Sequence, residues 1–281
     1  AMGADYARLS ARNPRLVMVP ITPFGLTGPY RDYAANDLIA FHAAAGGWIF
    51  ADPRDPKGQP PAKLFGKHQE IMAGITAAIT GLSCYYAALE SGQGDHVDLS
   101  IQEVGATQHG PNSVEYEYAG RLIDRLVPRK YAPSDYYRCS DGYIFIVCAE
   151  DHQWDYMVKV MGSPAWAKEE RFATRWLRGG EHREAFARLL NAWTMQHTVE
   201  EVFTAAQEAH VCAIMLLRPE QVAENKHLAS RDFFREQRHP KAGTLRMPGP
   251  PVAFDRKWGG LRTHAPALGQ NRDSPRHAFN R

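Results

Sequence analysis

The spacing of apolar and polar positions divides this chain into segments of distinct period. Asp5 to Asn13 reads as a helix, and Pro14 stops it because proline cannot extend the backbone hydrogen-bond ladder. Leu16 to Ile21, LVMVPI, is a nearly continuous apolar run, the pattern of a strand buried on both faces. A loop follows directly, with two glycines and two prolines between Pro23 and Tyr30. A second helix is predicted from Asp37 to Ala45, ended by Gly46-Gly47, and the Asp-, Pro- and Gly-rich residues 51–62 predict another loop. Gln69 to Glu90 is then a long apolar helix with no charge between Glu70 and Glu90. That length approaches a membrane span, but Thr76, Thr80 and Ser83 dilute it, and Ala73, Ala77 and Gly81 offer a small face for close packing. A buried core helix is the expectation. His96 to Ser100 alternates as a strand does, and a helix runs from Ile101 towards Tyr118, weakened by Gly110-Pro111.

The character changes after Gly120. Residues 121–135 read as a linker, and Asp141-Gly142 marks a tight turn between strands Tyr136–Cys139 and Tyr143–Cys148. Helices are expected near 151–161, 181–195 and 198–209, the last with Thr198 as N-cap and Glu201 completing a capping box. A strand at Cys212–Leu217 and a helix near Pro219–Asn225 follow. Beyond Asp232 the chain is rich in Pro and Gly, and its last dozen residues are expected to be mobile. The order implies an α/β part over 1–120, a linker and a smaller α+β part over 121–235, and a return segment with tail over 236–281.

Composition narrows the function classes. A length of 281 residues with 44% hydrophobic and 23% charged residues describes a folded globular chain. A formal charge of +2 is too mild for a nucleic-acid or membrane-surface partner, and the Arg125, Arg129, Lys130 cluster reads as solvated surface. Four cysteines far apart, none in a C-x-x-C pair, fit a reducing cytoplasm and no zinc ribbon. The start reads as charged and helical from Asp5, not as a secretory leader. Twelve histidines without metal-ligand spacing give no metal site.

Two places carry candidate chemistry. One is the strand-to-loop junction Ile21-Thr22-Pro23-Phe24-Gly25, at the carboxyl end of a strand, where α/β sheets bind ligands. Its glycines let backbone amides approach phosphates or an amide, and Phe24 or Tyr30 could stack on a ring; a purely structural turn fits the same pattern. The other is Lys67-His68-Gln69-Glu70 at the start of the apolar helix. A first-turn carboxylate is kept ionised by the helix dipole and can attack an acyl carbon. A plain dipole-capping glutamate fits equally.

Both places fall within a wider likeness. NPRLVMVPITPFGLTGPYRDYAANDLIAFHAAAGG and AGITAAITGLSCYYAALESGQGDHVDLSIQE resemble signature stretches of the class III CoA-transferases, which include the formyl-CoA and carnitine enzymes and are related to α-methylacyl-CoA racemase. Asp141-Gly142, Arg171–Thr174, Pro248–Pro251 and Pro266–Gly269 continue the match in order. The resemblance implies a Rossmann-like large domain, here incomplete because the match begins at the family's middle, with a smaller α+β domain, in an interlocked dimer. It implies CoA transfer from an acyl-CoA to a carboxylic acid, with the CoA thioester as substrate and no further cofactor. Glu70 stands where the family has its catalytic aspartate, one methylene longer. Ile21, Thr22, Pro23 and Phe24 would lie along CoA, joined by Gly25, His68 and Gln69. A homodimer, or a heteromer with a chain supplying the N-terminal half, is expected. The alternatives are a non-catalytic CoA-binding subunit, or an acyl-CoA racemase or isomerase in which Glu70 and His68 exchange an α-proton.

Overall fold

The computed structural model describes residues 5–49, 60–121, 131–252 and 263–270, and these form two compact units, 1–130 and 131–281. The first unit opens with α1 (Tyr6–Arg12), capped by Asp5, whose side chain accepts from Arg8 N at 3.0 Å. The apolar run then pairs in parallel with residues 95–100. Met18 N donates to Asp95 O, Val97 N to Met18 O and Leu99 N to Pro20 O, ending in β1 (Ile21–Thr22) beside β2 (Leu99–Ser100). Pro20 has no N–H to give, so the regular ladder is short. Residues 16–20 are half-buried and Ile21 is exposed, so the expected burial on both faces is not met within this chain. The second face has no layer over it among the described residues.

Parallel strands need a long crossover, and α2 (Asp37–Ala43), α3 (Gly46–Ile49) and α4 (His68–Ser91) provide it. Asn36 caps α2 by accepting from Ile39 N at 3.1 Å. The predicted Gly46-Gly47 stop is corrected: Ala45, at φ 67°, breaks the helix and the two glycines open α3. The predicted loop at 51–62 falls largely on residues outside those described. After β2 come α5 (Ile101–Gln108) and α6 (Gly110–Ala119), so the single expected helix is broken at His109.

The expectation of a buried α4 is overturned. Its 24 residues end at Gly92, in the left-handed region at φ 74°, whose N–H bonds Ala88 O. The small-residue face turns inward, with Ala73 and Ala88 buried and Gly81 within contact of Val19. Ile71, Ile75, Ile79, Leu82, Tyr86 and Leu89 are all exposed and are spaced by three or four residues, so they form one apolar stripe along the shaft. Apolarity measures what a helix needs covered, and the described residues do not cover it.

In the second unit β3 (Ser134–Arg138) and β4 (Tyr143–Val147) form the predicted hairpin, and β5 (Cys212–Met215) joins β4 to complete an antiparallel sheet of order β3-β4-β5. Asp141 at its turn accepts from Val199 N at 2.8 Å, tying the hairpin to the start of the helix at Val199–Glu208. Against one face lie α7 (Asp151–Val160), α8 (Arg175–Gly179), α9 (Arg183–Thr194) and α10 (Val199–Glu208), around Ile144, Ile146, Met157, Phe172, Phe186 and Leu190. Thr198 and Glu201 make the expected capping box on α10. Short α11 (Pro219–Ala223) and α12 (Lys226–Ser230) precede a second hairpin, β6 (Phe234–His239) and β7 (Gly243–Pro248), which the sequence pattern did not predict. The linker reading of 121–135 and the mobile-tail reading fall mostly or wholly on residues outside those described.

Candidate active site

The glycine-rich junction is built by β1 and β2 together. Gly25 is buried at φ 91°, a conformation that side-chain-bearing residues rarely adopt, and its N–H donates to Thr22 Oγ1 at 2.9 Å. Both oxygens of Asp98, one residue before β2, accept from Leu26 N at 2.9 Å. Pro23 O accepts from Gln102 N on α5 at 3.0 Å. Three rings form a ladder along the loop: Phe24 meets Tyr30 edge-on at 5.7 Å, and Tyr30 stacks on Tyr33 at 4.9 Å.

At the other place, α4 begins without a side-chain cap from its own sequence. The cap comes from α2: Asp37 Oδ1 accepts from Glu70 N at 2.9 Å, and Asp37 also accepts from the Gln69 amide. Asp37 is 8% exposed and pairs with Lys63 Nζ at 2.7 Å. Burial opposes its ionisation, but Lys63 and the two amides outweigh that and hold the carboxyl below its ordinary range. Lys63 also donates to the carbonyls of Leu64 and Gly66, so it closes the approach to the helix into a clamp.

The Glu70 carboxylate is left on the accessible side. It is 36% exposed and lies 2.9 Å from Lys67 Nζ, a side chain 73% exposed. Hydrogen bonding and charge from Glu70 raise the Lys67 pKa, so the ammonium is firmly protonated. His68 is half-buried and close enough to His109, after α5, to help burial push the His109 pKa down.

Of the residues predicted from sequence, Ile21 to Gly25 lie together on β1 and its loop, and His68 and Glu70 on the first turn of α4. Gln69, expected along CoA, has an interior side chain in this structure. Its side chain is fully buried, with the side-chain amide against Gly105 of α5 and without a hydrogen-bond partner among the described residues, while its backbone N–H donates to Asp37. A Cβ at Gly105 would come within 2.8 Å of Gln69 Oε1 and 2.6 Å of Ala44, so glycine is what lets α5 approach. Gly105 and Gln102 are three residues apart on α5, about 4.5 Å along the axis. Because one touches Gln69 and the other Pro23, α5 sets the two candidate places next to each other. Sequence reasoning named Lys67 within the candidate segment without giving it a role, and missed Asp37, Lys63, Asp98 and Gln102. Lys67, three positions before Glu70, had a local signal for its pairing; the other four did not.

Among the described residues no group of three or more His, Cys, Asp or Glu side chains could hold a metal. The site is therefore a part-exposed carboxylate with an exposed cation beside it, next to a strand-end loop that carries three rings. That arrangement suits acyl chemistry on a carboxylate.

Known proteins agree with this architecture. A CAIB/BAIF family protein from Brucella suis has the same fold, with TM-score 0.80 at 24% identity, covering 99% of this chain and 71% of that one. A succinyl-CoA–D-citramalate CoA-transferase of Chloroflexus aurantiacus is 30% identical over 96% of this chain and 66% of its own length. The succinyl-CoA:(R)-benzylsuccinate CoA-transferase subunit BbsE of Thauera aromatica is 25% identical over 96% of this chain and 67% of its own. This chain thus spans about two thirds of the length of these curated relatives. The profile of CoA-transferase family III matches residues 1–272. The chain belongs to CoA-transferase family III.

Proposed function

We propose that this chain moves CoA from an acyl-CoA thioester to a carboxylic acid, with the Glu70 carboxylate acylated on the way. The observation that carries the reading is the division of roles at the start of α4. Asp37 caps the helix, which leaves the Glu70 carboxylate outward and half-exposed, with no structural duty beyond its pair with Lys67. A capping glutamate, the plain alternative, is thereby the weaker reading.

In the proposed sequence a Glu70 oxygen attacks the donor acyl carbon, the C–S bond breaks and CoA thiolate leaves a mixed anhydride. The thiolate attacks the Glu70 carbonyl carbon, releasing the donor acid and leaving Glu70 as its CoA thioester. The acceptor carboxylate attacks that carbon and expels the thiolate, which then attacks the acceptor's own acyl carbon. Product acyl-CoA departs and the Glu70 carboxylate is restored. CoA lies along Ile21, Thr22, Pro23, Phe24 and Gly25, with His68 at the rim, and the chemistry calls for no cofactor beyond the CoA substrate. The working form is cytoplasmic, and a homodimer or a heteromer in which another polypeptide covers α4; the exposed stripe of that helix supports such a cover.

A second reading, a non-catalytic subunit that completes a partner's site, draws support from the Thauera aromatica relative, which is named as a subunit. Mass spectrometry of the assembly after incubation with acetyl-, succinyl- and glutaryl-CoA separates the two. An adduct on the Glu70 peptide is expected, and Glu70→Gln should remove it and cut transfer by roughly a thousandfold or more. Undiminished transfer in a Glu70→Ala assembly would give the second reading instead.

A further inference from the structure

The reaction needs a counter-charge for the acceptor acid, and two lysines stand near Glu70. Lys63 is committed: it is 18% exposed, and its ammonium is shared among Asp37 at 2.7 Å and the carbonyls of Leu64 and Gly66. The amides at the helix start are committed too, since Glu70 N donates to Asp37 at 2.9 Å and Ile71 N donates to Lys67 O at 3.0 Å. Lys67 differs from all of these. Its side chain is 73% exposed and its partner here is Glu70 itself.

We propose that the Lys67 ammonium, 2.9 Å from Glu70 Oε2, receives the carboxylate of the acceptor acid once Glu70 is acylated. The inference rests on the reading of Glu70 as the acylated group. In the resting state ammonium and carboxylate neutralise each other. Acylation turns the Glu70 carboxylate into a neutral thioester, and Lys67 loses its partner at the moment an anionic acceptor must bind. An exposed pair three residues apart is weak, so the exchange of one carboxylate for another meets little resistance. An acceptor oxygen on the ammonium is held beside the Glu70 carbonyl carbon it must attack, which places the nucleophile as well as binding it. When the thiolate later takes the acceptor's acyl group, Glu70 is ionised again and reclaims the ammonium, favouring release. No proton changes hands at Lys67 in any of these steps. The acceptors selected are acids; the corresponding amides and alcohols find no match.

Lys67→Met and Lys67→Arg, made in the chain within the assembly it forms, test this. Succinyl-CoA serves as donor and glutarate as acceptor, alongside exchange of labelled CoA into succinyl-CoA, which needs no acceptor. Lys67→Met should raise the KM for glutarate roughly tenfold or more, with labelled-CoA exchange within about twofold and the Glu70 adduct still formed. Lys67→Arg should recover most of the glutarate KM. An unchanged glutarate KM in Lys67→Met, with the adduct present, overturns the role of Lys67 and leaves that of Glu70 intact. Loss of adduct and exchange in Lys67→Met overturns it as well, by moving Lys67 to the donor step. No adduct in the unaltered assembly removes the reading of Glu70 and this inference with it.

Discussion

The Asp37 carboxylate opens α2 and accepts a hydrogen bond from the first turn of α4, so one side chain serves two helix starts. Its ion pair with Lys63 is nearly out of solvent, where removing one partner strands the other. Asp37→Asn should therefore destabilise the chain by roughly 2 kcal/mol near neutral pH. The pH dependence follows from the direction of its shift. A carboxyl whose folded pKa lies below the unfolded value, 3.8, stabilises the fold above that pH and loses the contribution as pH falls through the folded value. Thermal melts by circular dichroism from pH 5 to pH 2 should show the unaltered chain falling towards the Asp37→Asn variant below about pH 3.8. Coincident curves at pH 5 would show that the clamp carries no stability. None of this was legible beforehand, because Asp37 and Glu70 are 33 positions apart and only the tertiary fold pairs them. Glu70 was legible as a carboxylate at a helix start, but its freedom from capping duty was not.

At the scale of elements, the second unit turns on Arg178 of α8. It is fully buried, donating to Ala132 O at 2.8 Å, Phe172 O at 2.7 Å and Asp151 at 2.8 Å, with its guanidinium 5.0 Å over the Trp154 ring. The planar fork reaches these three acceptors from three separate nitrogens, a spread that the single nitrogen of a lysine ammonium does not span. Arg178→Met should cost about 3 kcal/mol or more in urea unfolding, and Arg178→Lys should recover little of it. Elements with local signals were read correctly from sequence: the Asp141-Gly142 hairpin and the Thr198–Glu201 box each declare themselves within a few residues. The hairpin of β6 and β7 was missed because Phe-Arg-Glu-Gln-Arg-His carries no apolar alternation. The α8 turn was missed because a helix of 5 residues shows no period.

At the scale of the molecule, α4 leaves its stripe of Ile71, Ile75, Ile79, Leu82, Tyr86 and Leu89 in solvent. Exposed apolar surface of this extent promotes association. The chain alone should self-associate with rising concentration, and Ile75→Glu with Ile79→Glu should suppress this in analytical ultracentrifugation while leaving the far-ultraviolet spectrum unchanged. Equal association in the double variant would assign the contact to another surface. The burial of α4 was misjudged from sequence because an apolar pattern records a demand for cover and is silent on who meets it.

The same helix is a rod of 24 residues, about 36 Å long, with Glu70 near one tip and Gly92 at the other. A tilt of about 2° about the glycine end would swing the carboxylate through about 1 Å. A misplacement of that size can cost roughly a hundredfold in rate. In the reaction proposed for Glu70, whatever lies along the shaft therefore holds the long arm of a lever whose short throw is the chemistry, and can tune turnover without touching a substrate.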